Sequence, residues 1–270
     1  MTHLQSPPTV AICIQKGGVG KTATSINLAA ALAERGVKVL LLDLDPQAQA
    51  SDHLALRDEG PLAPMLQVLQ GARTVMDAAV ATPFGFSLVP GGQSLAAAEP
   101  MLQAEAGGEQ ILRERLQEVP PGTWDLVLLD CPPSLGTLNL SALTAAHAVL
   151  VPLPPAAADL DGLGLLSRTM ERVKRRTNPG LSMLGILPNK ANGRTKLGRD
   201  VLIEVESFFP GALFKEQIRQ DTRIAEAYSA RQPVTRFAPK SNGAADFRAL
   251  AKAVMGRSAG LGRTALGGAA

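Results

Sequence analysis

A glycine-rich segment near the start of the chain carries residue types that suit phosphate chemistry. It reads QKGGVGKTATS, from Gln15 to Ser25, and follows the apolar run Val10–Ile14. Its G-K-T end matches the common phosphate-loop pattern, although Gln15 stands where the first glycine of that pattern falls. Glycine amides can wrap a phosphate, and the start of the helical pattern that follows favours its negative charge. The segment therefore predicts a nucleotide phosphate site; a glycine turn that binds nothing is the alternative.

Two lysines bracket these glycines, one more than a phosphate loop requires. Lys21 stands where a lysine contacts the β- and γ-phosphates, and the hydroxyl of Thr22 follows in a position to hold Mg²⁺. Lys16, at the other end of the glycines, is the additional cation. The residues of this segment that we predict to bind the nucleotide are Lys16, Gly17, Gly18, Val19, Gly20, Lys21, Thr22 and Ala23.

Three aspartates follow apolar runs that predict buried strands. Asp43 and Asp45 come at the end of Val37–Leu42, and Asp130 ends Leu126–Leu129. Two residues apart on an extended strand, Asp43 and Asp45 face the same side. Mg²⁺ gives up its waters reluctantly and is often held by carboxylates through them, so these aspartates are candidates for a magnesium site. Capping of the strand ends is the structural alternative.

Apolar runs alternate with helical patterns along the chain, which predicts an α/β fold with a mostly parallel twisted sheet and helices on both faces. Ligands bind at the carboxyl ends of the strands in such sheets. The length of 270 residues favours one domain, residues 1–256, followed by a flexible Gly/Ala-rich tail, residues 257–270. The predicted strands are Val10–Ile14, Val37–Leu42, Ser87–Val89, Leu126–Leu129, Ala148–Val151 and Met183–Leu187; the predicted helices are Lys21–Arg35, Glu109–Val119, Leu138–Ala146, Leu160–Arg176 and Gly198–Phe209.

Composition indicates a cytoplasmic protein with an uneven charge distribution. The two cysteines, Cys13 and Cys131, lie in or beside apolar runs and are interpreted as ordinary buried residues. Neither a signal-peptide pattern nor an apolar run long enough to span a bilayer is present in the sequence. Residues 1–167 hold 8 Lys/Arg against 16 Asp/Glu, whereas residues 168–270 hold 19 against 8. The basic part suggests an anionic partner, although solvated basic helices would give the same balance.

The motifs resemble those of a known family. KGGVGKT resembles the deviant Walker A motif of the ParA/MinD group of P-loop ATPases, and LLLDLDPQAQAS and DLVLLDCPPSLG resemble two further motifs of its ParA branch. The likeness runs from about Val10 to Met255 and is weaker after residue 150. It implies a P-loop NTPase fold, ATPase activity with ATP and Mg²⁺, and a homodimer that sandwiches two ATP molecules.

The resemblance also implies a role for each candidate residue. In this family each subunit lends the lysine at the start of its loop to the nucleotide of the other, and Lys16 matches that lysine. Lys16 is thus expected to act in catalysis together with Lys21. Asp45 would position or polarise the attacking water, Asp43 would support the Mg²⁺ region, and Asp130 would reach Mg²⁺ through water as a Walker B aspartate does.

The weaker second half of the likeness carries the expected adenine and DNA contacts. Asn189 matches a position that contacts the adenine base. IRQDTRIAEAYSARQP resembles the ParA stretch usually written IPRNVRLSEAPSHGKP, with Gln220 where an arginine is common, and FAPKSNGAADFRALAK resembles the block that follows. For each basic residue a solvated surface charge is an equal alternative to a DNA contact. The candidate DNA-binding residues are Arg194, Lys196, Arg199, Arg223, Lys240, Arg248 and Lys252.

Other branches of the family fit less well. MinD-like members end in an amphipathic membrane-binding helix, whereas this chain ends in Gly, Ala and Thr. Cys13, inside the first predicted strand, could not help to bridge an iron–sulfur cluster. Only nine residues precede that strand, which disfavours an added helix-turn-helix domain. At residues 154–159 the letters PPAAAD replace a more polar and aromatic stretch, so dimer contacts there stay open.

The resemblance therefore implies a partition ATPase associated with the nucleoid. Its ATP-bound dimer would bind double-stranded DNA without sequence preference, and a ParB-type centromere-binding protein would stimulate hydrolysis. No membrane partner is expected. Two alternatives stay open: a related ATPase that positions a protein cargo with the same chemistry, and a regulatory binding protein whose nucleotide is a switch and whose turnover is negligible.

Overall fold

The computed structural model describes residues 7–56, 60–134, 136–156, 160–191 and 196–261. These residues form one eight-stranded sheet with helices on both faces. The strands are β1 Thr9–Ile12, β2 Val39–Asp43, β3 Val80–Ala81, β4 Ser87–Val89, β5 Leu126–Asp130, β6 Ala148–Leu153, β7 Ser182–Ala191 and β8 Ile218–Arg219. The helices are α1 Lys21–Ala33, α2 Gln49–His53, α3 Pro64–Leu69, α4 Val75–Ala78, α5 Ala98–Ala104, α6 Ile111–Gln117, α7 Thr137–Ala145, α8 Leu160–Arg176, α9 Lys196–Phe208, α10 Thr222–Ser229, α11 Val234–Phe237 and α12 Asn242–Ser258, with 3₁₀ turns at Gln93–Ala97 and Gly108–Gln110.

Across the sheet the strands lie in the order β3, β4, β2, β5, β1, β6, β7, β8. Neighbouring strands are parallel except β3 and β4, which are antiparallel. This arrangement confirms the predicted α/β class. No helix in the described part of the chain is long and apolar enough to cross a bilayer.

The core forms two layers, one on each face of the sheet, because a parallel sheet must bury both faces. Along β1, Ala11 packs into one layer while Val10 and Ile12 pack into the other. Helices α1, α2, α10, α11 and α12 contribute to the layer of Val10, and we call this side of the sheet the α1 face. Helices α3 to α9 contribute to the layer of Ala11, and we call this side the α8 face.

Element boundaries differ from the predictions where pairing, rather than the local pattern, decides them. β7 extends from Ser182 to Ala191, beyond the predicted Met183–Leu187, because it pairs with β6 on one side and β8 on the other. The edge strands β3 and β8 were not predicted, since two residues are too short to show a period. The predicted helix Glu109–Val119 begins as a 3₁₀ turn.

Helix α12 continues two residues into the segment predicted as a tail. Arg257 is tied to the sheet: its guanidinium donates to the carbonyl oxygens of Leu184 (2.8 Å) and Ala212 (3.3 Å) and lies 3.9 Å from the ring centre of Phe214. Residues 262–270 of the predicted tail lie outside the described residues.

This anchor leads to a prediction about Gly185 in β7. A Cβ at Gly185 would overlap the Phe214 ring and lie 2.5 Å from Nη1 of Arg257. Gly185→Ala should therefore lower the free energy of unfolding by about 1–3 kcal/mol, as overpacking of a core does. Gly256→Ala, in α12 with open space around it, is the matched control and should be neutral or stabilising by up to about 1 kcal/mol. Urea denaturation of both variants measures the difference; equal midpoints would contradict the packing described here.

Candidate nucleotide site

Three parallel strands end side by side at the carboxyl edge of the sheet. Ile12 of β1 pairs with Asp130 of β5, and Asp43 of β2 pairs with the same Asp130. The glycine segment follows β1 directly, so it crosses above both aspartates before α1 begins at Lys21. The fold thus assembles the loop and the carboxylates that the sequence analysis singled out.

The loop needs glycine at two of its positions. Gly18 and Gly20 have φ angles of 73° and 89°, which side chains disfavour. A Cβ at Gly20 would also overlap the amide of Asn189, whereas the space around Gly17 is open. Gly20 is therefore required for both conformation and packing.

Side-chain donors hold three carbonyl groups of the loop, and two of these donors come from the end of β7. None of the four amides from Gly17 to Gly20 donates to another described residue, and the N-terminus of α1 has no side-chain cap. A run of free amides at a helix N-terminus is a binding site for an anion. The donors are Nζ of Lys21 to the oxygen of Lys16 (2.8 Å), Nζ of Lys190 to that of Gly18 (2.7 Å) and Nδ2 of Asn189 to that of Val19 (2.6 Å).

Asp43 is fully buried beneath the loop and bonded to the N-terminal part of α2. One carboxylate oxygen accepts from the amide (2.9 Å) and hydroxyl (2.7 Å) of Ser51, and the other accepts from the amide of Asp45 (3.3 Å). Burial raises the pKa of Asp43 to about 6 despite these hydrogen bonds.

Asp130 is also fully buried, and one of its oxygens has no partner. Oδ1 accepts from the hydroxyl of Ser25 (2.8 Å), whereas Oδ2 makes no hydrogen bond within the described part of the chain. Burial and the neighbouring charge of Asp43 raise the pKa of Asp130 to about 7, and the hydrogen bond from Ser25 and the nearby hydroxyl of Thr22 oppose that rise. A buried carboxylate with an unsatisfied oxygen favours a cation or a water bound to one.

These groups fit Mg²⁺ better than a metal held only by protein. Over the described ranges, no three His, Cys, Asp or Glu side chains are grouped closely enough to hold a metal ion. Mg²⁺ usually keeps several waters and takes one or two carboxylates together with phosphate oxygens. The unpartnered oxygen of Asp130, next to the hydroxyl of Thr22, matches that mode.

A cavity of about 610 Å³ opens beside the loop, a size that suits a nucleotide. Asp45 lines it, and its carboxylate also accepts from the amide of Gln47 (2.9 Å). Among the described lining residues, neither Lys16 nor the deeper carboxylates Asp43 and Asp130 appear. The lining includes Gly17, Gly18, Gly20, Lys21, Thr22, Ala23, Asp45, Asn189, Lys190, Gln220, Thr222 and Tyr228.

The two cysteines are neighbours directly behind the loop. Cys13 follows β1 and Cys131 follows β5, and the adjacent thiol of Cys13, together with burial, raises the pKa of the Cys131 thiol well above its usual value. Cys13 donates to Oδ1 of Asn139 (3.2 Å), whose Nδ2 donates to the carbonyls of Pro132 (3.0 Å) and Ser134. The thiols therefore belong to a buried network that joins the start of the glycine loop to the loop after Asp130.

The DNA-binding candidates do not form one surface. Arg223 is bonded to Glu226 (2.5 Å), and Arg248 is bonded to Glu34 (2.7 Å). These two arginines and the exposed Lys240 and Lys252 lie on or next to α10 and α12, on the α1 face. Lys196 and Arg199 are exposed on α9, which packs on the α8 face, and Arg194 lies outside the described residues.

Four polar residues of the site were missed by the sequence analysis: Ser25, Ser51, Asn139 and Lys190. Ser25 lies one helical turn after Lys21, so its spacing could have indicated it. Ser51 ends the motif LLLDLDPQAQAS, but the motif does not indicate that it contacts Asp43. Asn139 and Lys190 meet Cys13 and Gly18 from distant segments, which no local pattern indicates.

Comparisons with known proteins agree with this geometry. The AAA domain family (AAA_31) matches residues 8–183. The chain is 42% identical to the chromosome-partitioning ATPase Soj of Thermus thermophilus over 92% of its own length and 95% of that protein. It is 38% identical to the chromosome partitioning protein ParA of Caulobacter vibrioides, covering 92% and 94% of the two chains. A crystal structure of a cobyrinic acid a,c-diamide synthase from Mycobacterium smegmatis with bound ADP and magnesium is 38% identical, with a TM-score of 0.81 and coverage of 92% and 94%.

The tight contact at Gly20 gives a test that needs no nucleotide. Gly20→Ala should displace the amide of Asn189 from the carbonyl of Val19 and force a disfavoured φ, lowering the free energy of unfolding by about 1–3 kcal/mol. Gly17→Ala, in the same loop but in open space, should leave stability within about 0.5 kcal/mol. Thermal and urea denaturation of the two variants without ligand provide the comparison. Equal losses in both would mean that the contact between Gly20 and Asn189 does not stabilise the loop.

Proposed function

Because the chain belongs to the ParA/Soj family of chromosome-partitioning ATPases, we propose that it binds MgATP in the cavity beside the glycine loop and dimerises. The dimer binds DNA without sequence preference and releases it after hydrolysis. One observation carries the proposal: free loop amides, Lys21 and the unpartnered oxygen of Asp130 meet where β1, β2 and β5 end.

ATP binding requires the loop to present donors to the phosphates. The free amides from Gly17 to Gly20 bind the phosphate oxygens. The ammonium of Lys21 exchanges its hydrogen bond with the carbonyl of Lys16 for the β- and γ-phosphates. Asn189 lines the same cavity and donates to the carbonyl of Val19 in the loop; its family counterpart contacts adenine, which supports binding of the base beside it.

Mg²⁺ and the attacking water are assigned to different aspartates. Mg²⁺ supplies charge neutralisation at the phosphates, and Thr22 and Asp130, with Asp43 beside it, are the residues that hold it. Asp45 lines the cavity, unlike the other two, which supports its role in orienting water toward the γ-phosphate.

Dimerisation explains the additional lysine. The backbone of Lys16 belongs to the loop, yet its side chain does not contribute to the described lining of its own cavity. A lysine in this position serves the nucleotide of a partner copy, where it brings a cation to the transferred phosphate across a water-excluded interface.

DNA binding rests on the basic part of the chain. Residues 168–270 carry 19 Lys/Arg against 8 Asp/Glu, and several of the cations are exposed on the α1 face. The names of the curated relatives describe chromosome partitioning, which supports a nucleoid-associated, cytoplasmic role. A ParB-type centromere-binding protein is the proposed stimulator of hydrolysis.

The roles of Asp45 and Lys21 can be separated by two variants. Asp45→Ala should keep ATP affinity but lower turnover by about 100-fold or more, the usual effect of losing a general base, and should trap the dimer on DNA. Lys21→Ala should lower ATP affinity itself by about 10- to 100-fold, because a charged hydrogen bond is lost. Equilibrium binding of a fluorescent ATP analogue and phosphate release measure both effects. Loss of ATP binding in Asp45→Ala would show that its role is structural; a parent protein with no stimulated turnover would favour the regulatory-switch alternative.

The linkage between ATP and DNA is tested by variants at its two ends. Arg223→Ala with Lys240→Ala should weaken DNA binding equally for all sequences and flatten the slope of log affinity against log salt by about 0.9 for each lost phosphate contact, with ATP binding intact. Lys16→Ala removes no charge from the α1 face, but it should lower DNA affinity because productive dimers fail. DNA binding and analytical ultracentrifugation with ATP provide the readouts. Parent-like dimerisation and DNA binding by Lys16→Ala would refute the sandwich mechanism.

A further inference from the structure

A row of arginines on α8 has no role in the site or in the proposed DNA contacts. Residues 168–176 hold five Lys/Arg against one Glu. Arg168, Arg172, Arg175 and Arg176 are all exposed. None of them forms an ion pair or a hydrogen bond through its side chain within the described part of the chain.

Three of these arginines point in the same direction. At 3.6 residues per turn, Arg168, Arg172 and Arg175 fall within a sector of about 60° and extend over about 10 Å of the helix. The buried side of α8, with Leu163, Leu166 and Met170 among its residues, is turned well away from that sector. We call Arg168, Arg172 and Arg175 the α8 arginine row.

Helix stability does not account for the row. Cations in the last turn of a helix interact with its carbonyl end, which suits Lys174, Arg175 and Arg176. Arg168 and Arg172 lie before that turn, where the effect has decayed. On the same helix, Glu171 pairs with Lys174 (3.3 Å) and Asp161 lies near the other end, so neither neutralises the row.

Two of the predicted DNA-binding arginines are engaged in ion pairs, whereas the arginines of the α8 row are not. Arg223 and Arg248 each bond to a glutamate, and those pairs must open before the arginines reach a phosphate. The row needs no such exchange. Near its carboxyl end, Arg113 of α6 donates to the carbonyl of Thr177 (2.8 Å) and adds a further cation.

The row lies on the opposite side of the sheet from α10 and α12. Leu163 and Leu166 of α8 pack into the layer of the α8 face, whereas Phe247 and Leu250 of α12 pack into that of the α1 face. α8 also runs from the carboxyl end of β6 back to the amino end of β7. The row occupies the second half of α8 and therefore lies toward the edge of the sheet opposite the glycine loop. It is therefore separate from both the nucleotide cavity and the α1 face.

Resting on the DNA binding proposed above, we propose that the α8 arginine row is a second contact surface for duplex DNA, which holds a different DNA segment from that on the α1 face. The charge pattern identifies this occupant. Three cations within about 10 Å suit the dense, regular array of phosphates on a DNA duplex. A membrane or a protein partner would also require apolar anchors, and none of the exposed large apolar side chains of the described residues lies on α8.

The test measures capture of a second duplex. One duplex is immobilised, full-length protein and ATP are added, and retention of a second, labelled duplex of unrelated sequence is measured. Arg168→Gln/Arg172→Gln/Arg175→Gln should lower retention of the second duplex at least about tenfold while the protein still binds the first through the α1 face. The salt slope of total DNA binding should flatten by about 0.9 per lost contact, hence by nearly 3 for each engaged α8.

Two control variants accompany the test. Arg73→Gln/Arg115→Gln removes two partly exposed charges from the α8 face outside the row and should capture the second duplex as the parent does. Arg168→Lys/Arg172→Lys/Arg175→Lys keeps the charge and should retain most of the capture, since phosphate contact without base reading needs only cations.

The outcomes separate the two proposals. If the parent captures no second duplex, or if the Gln variant matches the charge control, the α8 surface is refuted while the proposed function stands. If the parent binds no DNA at all with ATP, the DNA-binding part of the proposed function fails and the α8 proposal fails with it.

Discussion

Two buried carboxylates in register on neighbouring strands are the constraint on which the site depends. The pKa is about 6 for Asp43 and about 7 for Asp130, against 3.8 ordinarily, chiefly because both are buried. The unfolded chain ionises first, so the folded state loses stability as pH rises from about 4 to about 7, and that loss persists at neutral pH. Hydroxyl donors from Ser25 and Ser51 lessen the free-energy cost of burying the two carboxylates but leave one oxygen of Asp130 unpaired. In the proposed mechanism, bound Mg²⁺ would offset the remaining cost of burying these negative charges.

The same edge determines the form of the loop. Because β1 ends beside β5, the chain must turn above the carboxylates, and glycines allow that turn without side chains crowding the cavity. Lys190 and Asn189 hold the loop carbonyls from β7, two strands away from β1 in the sheet. Because these loop carbonyls already accept hydrogen bonds from side chains, they do not bond to the loop amides. The amides therefore stay available, and the loop is organised before any ligand binds.

The sheet, the loop and the aspartates could be predicted because each corresponds to a pattern of neighbouring residues in the sequence. Apolar runs mark β1, β2 and β5, and the site residues follow those runs directly. Other features depend on pairs far apart in the chain. Arg248 meets Glu34 on the α1 face, and Lys190 reaches the carbonyl of Gly18 from β7. The charge balance indicated a basic region, but which arginines are paired and which face they occupy follows only from packing.

The charge distribution explains how nucleotide could control DNA binding without reshaping the basic surfaces. Residues 1–167 carry a net negative charge and hold the glycine loop and the three aspartates, which in the proposed function directs duplex DNA to the basic part of the chain. A single protomer makes only its own few phosphate contacts, so it binds DNA weakly at physiological salt. In the proposed function, two protomers joined by ATP contribute their contacts to the same DNA, because the second binding event becomes intramolecular. The number of released counterions then doubles, and the affinity and its salt dependence rise together. In the proposed function, hydrolysis that separates the protomers removes both.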